Sequence, residues 1–324
     1  MNRHPTPSFS NIDRTELEPN EIFEIGIKQW KIDSFYVAYS GGKDSGIALD
    51  LCAKNFPKQF KGVVFVNTGI ATTQTIEFVK KFCNDRNYPL FILRPEEVIR
   101  KKNDGLIYSY ENLVLKWGFP TVQGHNVTMR WLKYFPMRQF LEDRIKAGEK
   151  PALISGIRKK ESARRFRNKN SSATAINRDG KMIFVKPLYF KDNNWVMKYF
   201  IENDIKRSPV YETLHISGDC LCGAFAQRDE AKLLQMFHPE VFEKIKQIEK
   251  KLKEKNHKYA KKYGTWGNSN IQSIEEIEAQ STLEEFVCNE CFFDNKKEKT
   301  LDNKRFDDEL KDIEEKLNHL SSKS

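Results

Sequence analysis

Six consecutive residues, Ser40-Gly41-Gly42-Lys43-Asp44-Ser45, have the types and the order of an anion cradle. Two glycines let the backbone turn tightly and bring its N–H groups against phosphate oxygens. A helix starting at the end of the run adds the positive end of its dipole. Ser40 and Ser45 can donate hydroxyl hydrogen bonds, Lys43 supplies a point charge, and Asp44 can hold Mg²⁺ or a positioning bond. Context matters more than letters here. The run follows an apolar stretch of strand length, 35–39 (FYVAY), and precedes a helical one, GIALDLCAKNF. The spacing is neither that of G-x-x-x-x-G-K-[ST] nor that of G-x-G-x-x-G.

Two further groups carry chemistry. Residues 158–169 (RKKESARRFRNK) hold seven Lys or Arg and one acid at the end of an expected strand. Open α/β folds bind ligands at the carboxyl ends of their strands, so Arg158, Arg164 and Arg165 are placed to fork onto phosphate or sulfate. Lys159, Lys160, Arg167 and Lys169 read as solvated or as contacts to a nucleic-acid backbone. Of six cysteines, Cys52 and Cys83 fall on helices and read as small buried hydrophobes. Cys220-Leu221-Cys222 and Cys288-Asn289-Glu290-Cys291 are close pairs. Four thiolates brought together, with a helix over 239–263 as the return arm, suit tetrahedral Zn²⁺ or an iron–sulfur cluster. Cys-x-Cys is an uncommon spacing for a zinc ribbon. The six histidines form no metal-spaced set, and no Ser/His/Asp triad can be argued.

The elements that must position these groups alternate. Strand-like runs at 35–39, 62–66, 89–93, 152–157 and 183–188 are separated early on by helical patterns at 45–54 and 73–87, with another at 131–146. Alternation of this kind predicts an α/β fold with a five-stranded, mostly parallel, doubly wound sheet. Residues 1–20 read as a mobile lead and 21–210 as the nucleotide-binding domain. Residues 211–295 form a helical, cysteine-bearing region, and 296–324 contain a terminal helix. In the helix over 239–263, Phe242, Ile245, Ile248 and Leu252 share one face, and 264–281 reads as a linker. Composition agrees with a folded chain: 23 Phe, 11 Tyr and 5 Trp among 324 residues can build a core, despite 31% charged residues. The net charge of +10 suggests an anionic partner, nucleotide or nucleic acid. No apolar run approaches membrane-spanning length and the first residues lack a signal-like core, so a cytoplasmic location is expected.

SGGKDS after a first strand resembles the pyrophosphate-loop signature of the adenine nucleotide α-hydrolase superfamily, and further segments are similar to its phosphoadenosine phosphosulfate (PAPS) reductase branch. These are Asn67-Thr68-Gly69 after the second strand, with Asn replacing the usual Asp, then Gly118-Phe119-Pro120 with Arg130-Trp131 and Lys133. Gly156-Ile157-Arg158 with Glu161-Ser162 and Arg164-Arg165 follows, then Lys186-Pro187-Leu188, Trp195 and Pro209-Val210-Tyr211. The resemblance spans about residues 30–225 and implies a Rossmann-like nucleotide fold. It assigns Asn67, Thr68, Gly69, Gly156, Arg158, Arg164 and Arg165 to the nucleotide beside the loop, with Lys43, Asp44 and Arg158 in catalysis. It also favours a 4Fe–4S cluster over Zn²⁺ on Cys220, Cys222, Cys288 and Cys291.

Two departures bear on the reaction. The family's Gly-Cys-x-x-Cys-Pro is replaced by Gly218-Asp219-Cys220, and the terminal Glu-Cys-Gly-Leu-His of thioredoxin-dependent reductases has no counterpart. An intact loop then implies ATP with Mg²⁺, α–β cleavage and sulfur transfer. The acceptor could be nucleic acid, as in the similar DNA phosphorothioation sulfur-insertion enzymes, with a sulfur- or electron-donor protein as partner. Reductive release of sulfite from adenylyl sulfate or PAPS is the alternative, and a non-catalytic binding module with a structural metal the third.

Overall fold

The sheet is built from runs that are apolar on both faces, as parallel strands covered by helices must be. The structure, a computed structural model, describes residues 17–99, 107–122, 124–159, 172–176, 182–227, 229–255 and 260–267. Strands β1 (Ser34–Ala38), β2 (Phe60–Val66), β3 (Leu90–Leu93), β4 (Pro151–Ile154), β5 (Thr174–Ile176) and β6 (Ile183–Val185) form one sheet in the order β3-β2-β1-β4-β6-β5. Val37 aligns with Val63 on one side and Ile154 on the other. All neighbours are parallel except β5, which returns antiparallel on β6.

Five of these strands are those the sequence predicts; β5 makes the sheet six-stranded rather than five. Three residues, Thr-Ala-Ile, are too short for alternation to register, and an edge position against β6 is what makes them a strand. The observed β4 also stops at Ile154, not 157, because the chain turns there toward the loop after β1.

Helix α1 (Pro19–Trp30) packs on β5 and β6, and α2 (Lys43–Asn55) follows β1. α3 (Thr73–Asn84) connects β2 to β3 and begins with a Thr72 hydroxyl accepting from the Thr75 N–H. α4 (Tyr110–Trp117) is followed by α5 (His125–Met129), a π-turn over Arg130–Tyr134, and α6 (Phe135–Lys146). α7 (Asn193–Glu202), α8 (Tyr211–Leu214), α9 (Glu230–Phe237), α10 (Pro239–Glu254) and α11 (Ala260–Tyr263) complete the described helices. The helix expected over 239–263 thus stops at Glu254. Its apolar face is as expected, with Ile245, Ile248 and Leu252 buried and Phe242 packed alongside, but Val241 joins it.

Two large clusters fill the interior. One lies around the sheet and includes Phe23, Phe35, Ile47, Cys52, Phe65, Cys83 and Val196. The other joins Tyr110, Leu113, Phe119 and Trp131 to Val210, Leu221, Ala224, Ile245, Leu252 and Trp266. Described residues on both sides of position 210 thus share this second cluster.

Sheet order reverses between β1 and β4, since β2 lies to one side of β1 and β4 to the other. That is the switch point at which the carboxyl ends of neighbouring strands diverge and leave a crevice. Among the described residues no helix is long and apolar enough to cross a membrane.

Candidate nucleotide site and cysteine turn

The loop from Ser40 to Ser45 leaves β1 at this crevice. It is closed by its own hydroxyls: Ser45 Oγ donates to the Gly42 carbonyl at 3.0 Å and lies 3.1 Å from Ser40 Oγ. Gly41 takes φ +81°, a left-handed turn that favours glycine. Gly42 then leads into α2 without a side-chain cap on the helix's first turn.

Gly156, on the facing loop after β4, fits only as glycine. A Cβ there would stand 2.5 Å from the carbonyl carbon and oxygen of Asp44 and 2.7 Å from Ser45 N. Two residues on, Arg158 is only 2% exposed. Its Nε donates to Asp44 Oδ2 at 2.9 Å, and a terminal nitrogen donates to Asn193 Oδ1 at 2.8 Å. This guanidinium, expected to fork onto phosphate, secures the first turn of α2 through two of its donors. Lys43 Nζ lies 3.5 Å from the other Asp44 oxygen. Burial works against the Asp44 charge, but Lys43 and Arg158 outweigh it and hold the carboxyl below its ordinary range. Burial also lowers the Lys43 pKa against the pull of Asp44, with Arg158 and Arg207 adding repulsion.

Asn67, Thr68 and Gly69 follow β2. Asn67 Oδ1 accepts from the Gly69 N–H at 3.1 Å, closing a tight turn at Gly69 with φ +76°. Thr68 is fully buried and donates to the Asp219 carbonyl at 3.1 Å. Its place is therefore under the cysteine turn. That turn, residues 217–223, is stitched to the same loops. The Leu221 N–H donates to the Ile70 carbonyl, Thr72 N–H to Gly218, and Tyr110 Oη to Cys222. Gly218, at φ +69°, sits where a Cβ would strike Val210 and Thr72.

Cys220 and Cys222 are both free and lie side by side. Hydrogen bonding from the Cys222 thiol, with Lys133 and the Thr68 hydroxyl, pulls the Cys220 pKa down to about 7 against burial and Asp219. The same pairing, with burial, pushes Cys222 far up. Lys133, from the π-turn, reaches Asp219 Oδ2 at 2.5 Å, and Ser217 Oγ donates to the other oxygen at 2.7 Å. Burial disfavours the Lys133 charge, but Asp219 and Cys220 more than restore it.

A model of the phosphoadenosine phosphosulfate reductase domain matches residues 34–222, more than half of the chain. The chain belongs to this family. No curated protein matches it by sequence. Among solved structures, the PAPS reductase of Candida auris, a phosphate complex, is similar at 20% identity and TM-score 0.42, over 61% of this chain and 85% of that one. The NH3-dependent NAD synthetase of Campylobacter jejuni is similar at 16% identity and TM-score 0.40, over 75% and 97%. The FMN adenylyltransferase of Candida glabrata, with FMN and the ATP analogue AMPCPP, is similar at 13% identity and TM-score 0.39, over 65% of each chain.

Several segments that carry the PAPS reductase resemblance are packing elements here. Gly118 turns against Tyr263, Phe119 is buried, and Trp131 packs edge-on to Tyr108 and Trp117. Arg164, Arg165, Cys288 and Cys291 lie outside the described residues. The described residues thus supply two of the four thiols expected at one centre, and among them no group of three or more ligands forms. The chain does come back to the cysteine turn. Trp266, in the expected linker, donates its indole N–H to the Leu221 carbonyl at 2.9 Å and packs on Gly223.

Sequence reasoning missed Asn193, Ser217, Asp219, Arg207 and Trp266 as parts of this region. Asp219 had a signal, since an acid stands where the family has its first cysteine.

Proposed function

We propose that the protein binds ATP on the loop from Ser40 to Ser45 and cleaves it between the α- and β-phosphates in a sulfur-transfer reaction. The observation that carries this reading is the complete loop at the switch point. Its hydroxyls close it, α2 begins in it, and Lys43 is the first residue of that helix. A complete loop of this kind suits a polyphosphate, whereas adenylyl sulfate has no β- or γ-phosphate for it to hold.

In this reading an acceptor oxygen attacks the α-phosphorus and pyrophosphate leaves with the bonding electrons. A sulfur nucleophile then replaces that oxygen, which departs with AMP. Backbone N–H groups and Lys43 neutralise the developing charge on the leaving pyrophosphate. Asp44 and Arg158 are positioning residues that keep the first turn of α2 in place. Because Asp44 is engaged by two cations, Mg²⁺ would be held chiefly by the ATP phosphates themselves.

The adjacent soft donors Cys220 and Cys222 fit half of a four-thiolate centre completed by Cys288 and Cys291, with 4Fe–4S preferred and Zn²⁺ the alternative. Such a centre would supply electrons or hold the sulfur. The +10 charge favours a nucleic-acid acceptor. Family membership alone favours a second reading, two-electron reduction of an adenylyl sulfate to sulfite.

Anaerobic purification followed by a nucleotide panel separates the two. AMP and pyrophosphate formed from ATP support the first reading. Sulfite from PAPS with thioredoxin alone, without turnover of ATP, refutes it.

A further inference from the structure

We propose that Arg207 is a specificity-determining residue of the nucleotide site, taking a phosphoryl oxygen beyond the α-phosphate and so selecting a nucleotide with a long phosphate chain. The proposal rests on the ATP reading above and names what enforces it.

The segment from Ile205 to Ser208 is pinned along the start of α2 at both ends. Gly46 lacks the Cβ that would stand 2.9 Å from Ile205 Cγ2, and this lets the segment lie against the helix. At the other end the Ser208 N–H donates to the Gly41 carbonyl at 2.7 Å. Arg207 is held between these points, next to the phosphate loop.

Its guanidinium is itself oriented. Cζ lies 3.8 Å above the Tyr211 ring, and one terminal nitrogen donates to Glu212 Oε1 at 2.9 Å. The other terminal nitrogen is buried and has no hydrogen-bond partner among the described residues. A fork with one arm fixed and one arm buried and unfilled is a poor end state for a guanidinium, and an incoming anionic oxygen completes it.

Charge points the same way. Arg207 repels the Lys43 ammonium. The acid nearest the loop, Asp44, is already engaged by Lys43 and Arg158. Glu212 is 69% exposed, so solvent weakens its compensation of Arg207. Lys43, Arg207 and the start of α2 thus bring positive charge together, opposed by Asp44, which Lys43 shares with Arg158, and by the exposed Glu212. In the ATP reading the phosphates beyond the α-phosphate meet this charge, and a nucleotide with a single phosphate brings none to it.

Calorimetry on the full-length protein tests this with ATP, AMP and inorganic pyrophosphate as probes, on the wild type, Arg207→Gln, Arg207→Lys and Lys43→Ala. Arg207→Gln should weaken ATP and pyrophosphate by roughly 10- to 100-fold and leave AMP unchanged. Arg207→Lys, which keeps charge without the fork, should fall between. If Arg207→Gln does not fold, Arg207→Lys decides: its pyrophosphate affinity must fall at least about threefold relative to AMP. Unchanged ATP and pyrophosphate affinity in the Arg207 variants, with Lys43→Ala weakened, overturns the role of Arg207 alone. Equal losses for AMP and ATP also overturn it, since they mark a structural role. Unchanged affinity in Lys43→Ala as well removes the ATP reading itself.

Discussion

Gly156→Ala adds one methyl group where the two loops of the crevice meet. The new carbon would stand 2.5 Å from the Asp44 carbonyl carbon and oxygen, against an ordinary contact of 3.4 Å or more. The opposing atoms are backbone in the first turn of α2, and Asp44 is tied to buried Arg158. No flexible side chain can yield, so the loop after β4 and the phosphate loop must separate by about 1 Å. Overpacking of this kind costs about 1–3 kcal/mol. At about 2–4 °C per kcal/mol for a domain of this size, Tm should fall by roughly 2–12 °C. The functional loss should be larger than the stability loss suggests. A displacement of about 1 Å in groups that position phosphate can cost roughly 100-fold in rate. Thermal melts, ATP calorimetry and pyrophosphate release should be compared with Gly124→Ala, whose Cβ meets nothing closer than 3.5 Å. If Gly156→Ala melts with the wild type and binds ATP equally well, the crevice is not built on this contact and the reasoning fails.

Lys43→Ala should weaken ATP binding by roughly 10-fold or more and lower the melt less than Asp44→Asn does, because Arg158 still pairs with Asp44; calorimetry beside a melt checks both. Asp44→Asn leaves Arg158 buried without its counter-charge and should cost about 3–5 kcal/mol at neutral pH. The Asp44 pKa is lowered in the fold, so its contribution is complete above the unfolded value near 4 and is lost as pH falls through the lower folded value. The Tm gap between wild type and Asp44→Asn should therefore narrow below about pH 4. Cys220→Ser, Cys222→Ser, Cys288→Ser and Cys291→Ser should each remove most metal bound after anaerobic reconstitution. Cys52→Ser and Cys83→Ser should retain it, since both thiols are buried in the sheet core and burial pushes Cys83 up to about 12. Full metal content in Cys288→Ser would refute the shared centre.

What was legible in the sequence followed from local chemistry. Apolar runs of strand length gave β1, β2, β3, β4 and β6, and the glycines and serines of the loop announced the turn into α2. The same residues could not reveal β5, whose strand character comes from β6 alone, nor the break in the long helix after Glu254. Site residues divided along the same line. Gly156 was found through its resemblance, but its reason lies in a contact with Asp44 across a long sequence separation. Arg158 reads as a phosphate fork, and nothing in its neighbourhood discloses that Asp44 and Asn193 each take one of its donors. Arg207 carried no local signal, being one basic residue among many.

The hydroxyl of Thr75 shows how the phosphate loop and the cysteine turn are joined. It lies 2.6 Å from the Ser217 carbonyl, 3.0 Å from Thr72 Oγ1 and 2.8 Å from Ser208 Oγ. One hydroxyl has one proton, so donating to Ser217 requires that it accept from Ser208 and Thr72. Ser208 in turn holds Gly41 through its backbone, and Ser217 holds Asp219. Asp219 fixes Lys133 beside Cys220. A continuous run of buried or half-buried polar contacts thus leads from the residue that turns the phosphate loop to the residue next to the thiol pair. Buried hydroxyls of this kind stabilise only while every partner is present, because an orphaned donor or carbonyl costs about 1–3 kcal/mol. The position of the phosphate loop and that of the thiol pair are for this reason set together rather than independently.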